Sequence, residues 1–369
     1  MTSPPPLLKQ QRYPAGGGRD LGLDVVRFVA IVLVMGRHAA ISSESAAWLQ
    51  TWSRGGWVGV DLFFVLSGFL VSGLLFAEYQ KHQRVRPIRF LIRRGFKIYP
   101  AFWAFMALTL TMRWWAGEPA ALTSVVVELA FVQNYFAGIW IHTWSLAVEE
   151  HFYFMLALLM GALSASGRLN KRGAIPIVFA VLAIGCLALR LQHASTHLTF
   201  SASESIFRSH LRMDSLFYGV LISYSVWFGG LKSGIDRIPK WLMTAIGCAL
   251  LSPAFVWPVD QHPWIGTYGL TLFYLGSGCI VIAALGMKLP SSAIPRSALA
   301  FAARAGAASY SIYLWHVPVN LIAIHLFVET QSLPIAYWST YLIGSVGVGW
   351  VMHGLIERPA IALRNRCAA

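Results

Sequence analysis

The sequence predicts an all-α polytopic membrane protein, with about ten transmembrane helices and both termini in the cytoplasm. Three observations carry that expectation. First, only 12% of the 369 residues are charged while 57% are apolar, and the charged share is about half that of a soluble domain. Mean hydropathy is +0.60, so both a soluble globular fold and a disordered chain are excluded. Second, ten apolar runs approach the roughly 20 residues that cross a bilayer as helix. Third, the basic residues sort to one side of those runs, as cytoplasmic loops do. A net charge of +14 would suit nucleic acid only on a polar basic domain, and none is visible, so nucleic acid is not an expected partner. The alternating strands of a closed barrel are absent, and no internal repeat suggests an inverted-repeat transporter.

Residues 1–20 read as a flexible basic tail, rich in Pro and Gly and carrying Lys9, Arg12 and Arg19. No small-residue cleavage site follows it, so it does not read as a signal peptide. The spans are expected at 21–41, 57–77, 97–115, 143–163, 174–191, 212–229, 240–257, 265–286, 306–327 and 335–357. The apolar stretch 123–136 is too short to cross and is expected to lie at the interface or re-enter. With this division, 22 of the 29 basic residues share the side of the termini and six take the other. The termini side comprises the N-terminal tail, loops 78–97, 164–173, 230–240 and 287–305, and the residues after 357, Arg358 and a C-terminal tail, 360–369. Seven of its basic residues lie in loop 78–97 (Lys81, Arg84, Arg86, Arg89, Arg93, Arg94 and Lys97). That side is therefore cytoplasmic. Cys186, Cys248, Cys279 and Cys367 show no paired spacing for a disulfide framework or a metal site.

An ionisable group at spanning depth costs roughly 2.5–3.5 kcal/mol or more, so each one is a candidate functional residue. The first span carries Arg27 and His38 around an unbroken apolar stretch. Eleven residues make three helical turns plus about 20°, so both project from one face, roughly 16 Å apart along the axis. The second span contains Gly59-Val-Asp-Leu-Phe-Phe-Val-Leu-Ser-Gly-Phe69. Its Asp61 is placed to pair with a neighbouring base, and Ser67 and Gly68 permit close helix contact. The third is entered through Arg93-Arg-Gly-Phe-Lys-Ile-Tyr-Pro100. Its arginines suit phosphate-rich ligands, although topology and anionic lipid explain such a cluster too. The fourth opens Trp144-Ser-Leu-Ala-Val-Glu-Glu-His-Phe-Tyr153, where Glu149 shares a face with Ser145 and Tyr153 while Glu150 and His151 are expected to point elsewhere. The sixth begins with Arg212 and Asp214, and the ninth holds Tyr313 and His316 ahead of the kinking Pro318. Near the end of the tenth, Glu357 and Arg358 fit a local ion pair.

These segments together resemble the acyltransferase-3 family of integral membrane O-acyltransferases. The resemblance runs from Arg27 to Pro359 and rests on linked motifs: Arg27-x10-His38, the Gly59–Phe69 run, Arg93-Arg-x-x-Lys-Ile-Tyr-Pro100, the Trp144–Tyr153 run, Arg212-x-Asp214 and Ser309-Tyr-Ser-Ile-Tyr-Leu-x-His-x-Pro318. Lys97 departs from it, since the family more often has Arg there. A lysine keeps the charge but loses the bidentate fork. With nothing after Ala369, the chain is expected to be a stand-alone member without the fused SGNH domain of some relatives.

The resemblance implies a domain over 21–359 in a bacterial inner membrane, moving an acyl group from a cytoplasmic acyl-CoA to a hydroxyl acceptor. Acetyl-CoA is the expected donor, and a glycan or lipid-linked glycan, with membrane lipids around it, the expected acceptor; a macrolide is an alternative. No metal is expected. Arg93, Arg94 and Lys97 would hold the donor's phosphates, with Arg27 binding the donor or stabilising negative charge. His38 would act as general base or carry the acyl group itself, and Glu149 would orient its imidazole. Asp61, Arg212, Asp214, Tyr313 and His316 would support or bind substrate. A transporter or flippase with a polar intramembrane path is the competing class.

Overall fold

A computed structural model describes residues 20–171, 173–196, 201–229, 238–328 and 334–367. The expected tail lies outside the described residues except for Asp20, as do residues 172 and 230–237 of two basic loops and the last two residues of the chain. The protein is all-helical, with no strand among the described residues.

The first helix, α1 (Leu21–His38), starts at Asp20, whose Oδ1 accepts from the amides of Gly22 (2.9 Å) and Leu23 (3.2 Å). That side chain satisfies two of the amides a helix start leaves open. After a short α2 (Ala47–Gly55), α3 (Gly59–His82) ends at Gln83 in the left-handed region, and α4 (Pro87–Trp115) begins with Pro at a position that needs no amide. The expected basic loop 78–97 is therefore mostly helix, and Arg89, Arg93, Arg94 and Lys97 stand at fixed positions on α4. Then follow α5 (Leu122–Leu129), α6 (Trp144–Ala165), α7 (Ala174–Thr196) and α8 (Met213–Trp227). The last six are α9 (Lys240–Leu251), α10 (Leu270–Ala284), α11 (Ala293–Ala307), α12 (Ser309–Ala323), α13 (Pro334–Met352) and α14 (Arg358–Cys367).

A helix stands at each of the ten expected positions. Six segments are long and apolar enough to cross a membrane by length and composition: Ala47–His82, Ile141–Ala165, Ala174–Thr196, Ile265–Ala284, Ser309–Phe327 and Ile335–Arg366. The others fall short for physical reasons. Asp24, Arg27 and Arg37 crowd the 18 residues of α1, the first half of α4 is basic, α8 has 15 residues, and α9 has 12 before Pro253 starts a new turn. Two expected loops are corrected. Residues 293–305, placed in the loop 287–305, belong to α11, and most of the expected C-terminal tail, 360–369, belongs to α14. Arg296 and Arg304 interrupt the first, and Arg358, Arg364 and Arg366 the second, which hides a short helix from a search for long apolar runs.

Helix α3 crosses α8 at close range. A Cβ on Gly68 would lie 1.9 Å from the Leu216 carbonyl oxygen, and one on Gly219 2.1 Å from that of Val65. Only glycine fits there, as the small-residue reading of Gly68 anticipates. In addition α1 packs on α3 and α11, α12 on α13, and α14 on α4. The main apolar core joins Ile31, Phe64, Phe102, Phe152 and Ile312.

Candidate active site

A cavity of about 850 Å³, its mouth included, lies among α1, α3, α4, α6 and α12. Its lining includes Arg27, Arg94, Lys97, Ser145, Glu149, Glu150 and Tyr313, with Phe63, Leu66 and Leu70 supplying an apolar wall. Arg27 is held by Asp24 at 2.6 Å, three residues before it on α1. Arg94 stacks over the rings of Phe90 (5.8 Å) and Tyr153 (5.7 Å), which presents its charge without neutralising it. Glu149 Oε2 accepts from Tyr153 (2.5 Å) and Ser67 (3.3 Å). Glu150, expected to point away, also faces the cavity and accepts from the Tyr99 hydroxyl at 2.9 Å.

Beyond Tyr313 stand three imidazoles. Ring centroids of His38 and His316 are 5.0 Å apart, those of His142 and His316 5.4 Å, and those of His38 and His142 6.3 Å. The hydrogen bonds fix the tautomers, which are assigned here from the network. The Tyr313 carbonyl can only accept, so His316 Nδ1, at 2.7 Å, carries a proton. In the neutral ring Nε2 is then an acceptor, and it takes the proton of His38 Nδ1 at 3.0 Å. The Val34 carbonyl, 3.1 Å from the same His38 Nδ1, agrees with that assignment. His38 Nε2 is thereby left with a bare lone pair, the form a general base needs. The neighbourhood of His38 is clamped further: Asn320 Nδ2 donates to the His38 carbonyl (2.5 Å), Tyr337 donates to Asn320 Oδ1 (2.8 Å), and the Ala40 amide donates to Tyr337 (2.7 Å).

His142 comes from the turn before α6, and that turn hangs on one buried carboxylate. Glu128 Oε1 accepts from the amides of Ile139 (2.9 Å) and Trp140 (2.8 Å), and the Thr143 hydroxyl donates to Oε2 (3.0 Å). Burial pushes the Glu128 carboxyl up, and the bonds from Trp140, Thr143 and Ile139 draw it partway back. The Tyr313 hydroxyl donates to the His142 carbonyl and bonds Ser145 Oγ (2.7 Å), which joins the imidazole group to the cavity wall.

The remaining polar residues form two buried ion pairs. Arg212 Nη2 meets Asp61 Oδ1 at 2.8 Å, and Arg190 Nη2 meets Asp214 Oδ2 at 2.7 Å. Arg212 thus pairs with α3, not with its near neighbour Asp214. Glu357 likewise bonds His353 (2.8 Å) and Ser311 (3.0 Å), not Arg358.

The structure therefore brings together Arg27, Arg94, Lys97, Glu149 and Tyr313, and separately His38 and His316. Glu149 makes no hydrogen bond to His38 among the described residues; His316 occupies that position. Arg93 does not line the cavity. Sequence reasoning missed His142, Glu128 and Arg190. The available signal for His142 was its place immediately before the Thr143-Trp-Ser motif. Glu128 had the signal of a lone carboxylate in an apolar stretch, and Arg190 that of a basic residue at the end of a long apolar run. Among the described residues no group of three His, Cys, Asp or Glu side chains is arranged to hold a metal ion.

Residues 20–354 match the model of a family described as an acyltransferase domain, acyltransferase-3. The O-acetyltransferase OatA of Staphylococcus aureus (strain NCTC 8325 / PS 47) is 27% identical over 362 residues, covering 92% of this chain and 56% of the relative. OatA of Staphylococcus aureus (strain COL) gives the same 27% identity and coverage. The chain thus spans about half the length of the curated relatives it matches. No solved structure matches.

Proposed function

The chain belongs to the acyltransferase-3 family, and from that premise we propose a multi-pass membrane O-acyltransferase that moves an acetyl group from cytoplasmic acetyl-CoA to a hydroxyl of a glycan or lipid-linked glycan. The reading includes ten spans, both termini in the cytoplasm, and a bacterial inner membrane. The observation that carries it is the cavity with Arg94 and Lys97 in its wall and Tyr313 linking it, through its carbonyl and His316, to His38, whose Nε2 makes no hydrogen bond among the described residues. A basic wall suits the donor's phosphates, and the Phe63, Leu66 and Leu70 surface suits a pantetheine arm.

In this mechanism His38 Nε2 removes the proton of the acceptor hydroxyl as its oxygen attacks the thioester carbonyl. The C–O bond forms, the tetrahedral intermediate expels the CoA sulfur, and the proton passes from His38 to the thiolate. His316 holds His38 in the productive tautomer, as the third member of a triad does. Arg27, in the cavity wall, offers its positive charge to the bound donor. Glu149, held by Tyr153 and Ser67, stands close enough to Arg94 and Lys97 to act on them electrostatically, and its role is to keep those cations oriented. The experiment is transfer by the purified protein in nanodiscs, with acetyl-CoA and isolated cell-envelope glycan. Thioester loss matched by acetylated glycan is expected, and both are lost in His38→Ala. Glycan movement across the bilayer without thioester loss would instead establish a flippase.

A further inference from the structure

The mechanism uses two of the three imidazoles and leaves His142 without a part. Its Nε2 lies 3.3 Å from the Leu314 carbonyl, which can only accept, so Nε2 carries the proton. In the neutral ring Nδ1 is then an acceptor, and it has no donor among the described residues although the side chain is only 1% exposed. Two more acceptors of the same segment stand in the same condition. Gln133 gives Nε2 to the Thr143 carbonyl (3.0 Å) and Asn134 gives Nδ2 to Ser209 Oγ (2.7 Å), which leaves Gln133 Oε1 and Asn134 Oδ1 buried with no donor. Between residues 130 and 143 every buried side-chain atom that lacks a partner is therefore an acceptor. A buried acceptor left open costs about 1–3 kcal/mol, so the chemistry this segment asks for is a set of hydrogen-bond donors. The His142 ring is nevertheless held in place. Glu128 fixes the turn through Ile139, Trp140 and Thr143, and the Tyr313 hydroxyl donates to the His142 carbonyl. The ring centre stands 6.3 Å from that of His38, edge to face.

We propose that His142 binds the acceptor: its Nδ1 takes a hydrogen bond from a second hydroxyl, next to the one that gives its proton to His38 Nε2, so that the site selects a vicinal diol. The inference rests on the transferase reading with His38 as base. One hydroxyl has one proton and cannot donate to both rings, whereas two adjacent hydroxyls supply one donor to each. His142 takes no proton in this scheme. It fixes which hydroxyl of a sugar meets the base, and the orientation in which it does so.

Acetyl transfer to isolated cell-envelope glycan is measured with the full chain in nanodiscs, with trans-1,2-cyclohexanediol and cyclohexanol as competitors. The diol is expected to inhibit the unaltered protein at about one-tenth the concentration that cyclohexanol needs, one hydrogen bond to a buried open acceptor being worth about that factor. His142→Phe is expected to abolish this preference and to raise KM for the glycan about tenfold, with KM for acetyl-CoA unchanged. In His142→Asn, whose Oδ1 can stand in for Nδ1, the preference is expected to return in part. A packing role ranks the two variants the other way, since Phe fills the space of the ring and Asn does not. Equal inhibition by the two competitors in the unaltered protein, or a diol preference that survives in His142→Phe, would overturn the proposal and leave the transferase reading intact. Failure of the unaltered protein to transfer acetyl from acetyl-CoA to the glycan at all would overturn the transferase reading itself.

Discussion

Substituting Gly68 with alanine is the sharpest test of how the α3–α8 crossing supports the site. The new Cβ would lie 1.9 Å from the Leu216 carbonyl oxygen, where ordinary contact begins near 3.4 Å. A carbonyl in a helix cannot turn aside, so the helices must part by roughly 1.5 Å. One helix carries Asp61 and the other follows Arg212, whose fully buried contact is 2.8 Å long. A displacement of that size takes the pair beyond bridging distance. Overpacking alone costs about 1–3 kcal/mol, and stranding a buried charge about 3–5 kcal/mol. The expected result is a thermal midpoint lower by roughly 5–15 °C in detergent, with acyl transfer falling in parallel. Two controls isolate the cause. In Gly73→Ala, on the same helix, the nearest atom is the Ser223 hydroxyl at 3.3 Å, which can rotate away; in Gly185→Ala nothing lies within 4 Å. Both are expected to stay close to the unaltered protein. A Gly68→Ala midpoint within about 2 °C of it would refute the reasoning.

Three further outcomes are expected. Because neither His38 nor His316 lines the cavity proposed for the donor, His38→Ala should cut kcat by about 10²–10⁴, and His316→Ala by at least tenfold, with KM for acetyl-CoA little changed; a rise in KM alone would contradict the assigned tautomer lock. Removing one member of the Asp61–Arg212 pair should destabilise by about 3–5 kcal/mol, while Asp61→Leu combined with Arg212→Met should recover most of it in denaturation measurements, and additive losses would show that charge pairing is not what the site requires. Glu128→Ala leaves the half-buried amides of Ile139 and Trp140 without their acceptor and should cost about 2–4 kcal/mol, whereas Glu128→Gln keeps an acceptor for both. As its carboxyl is pushed up in the folded chain, the folded state holds that proton more tightly than the unfolded one. Stability should therefore fall as pH rises above the ordinary glutamate value of 4.5, and a Glu128→Gln curve no flatter than the parent's would count against this.

The apolar runs made the helices legible because length and hydropathy are local properties. The site was legible only in part, because partners are not. Arg27 and His38 share a face as the eleven-residue spacing requires, yet the axial rise along α1 puts one against the cavity and the other behind Tyr313. Glu149 was the natural candidate for orienting His38, being the acid nearest in the motif order, but the rotation of α6 gives it to Tyr153 and Ser67. His316 takes that part from 278 residues away, a separation no spacing rule covers. Asp61 announced that it needed a base, and nothing local could choose Arg212 over the other arginines. α11 and α14 were invisible for a different reason: their arginines suppress the hydropathy signal on which a membrane-helix search depends.

The Asp61–Arg212 pair also sets a condition on how the chain is made. Asp61 enters the bilayer on α3, but its counter-charge lies 151 residues later. At about 5–20 residues per second, α3 must wait roughly ten to thirty seconds for Arg212 to emerge from the ribosome. Arg190, at the end of α7, faces the same problem for a shorter time, since Asp214 follows 24 residues behind it. During that interval a solitary carboxylate has to remain near the translocon or at the lipid headgroups. Release of α3 into lipid is therefore tied to synthesis of α8, and a ribosome stalled between them would leave a half-made protein with an unneutralised acid, a natural target for membrane quality control.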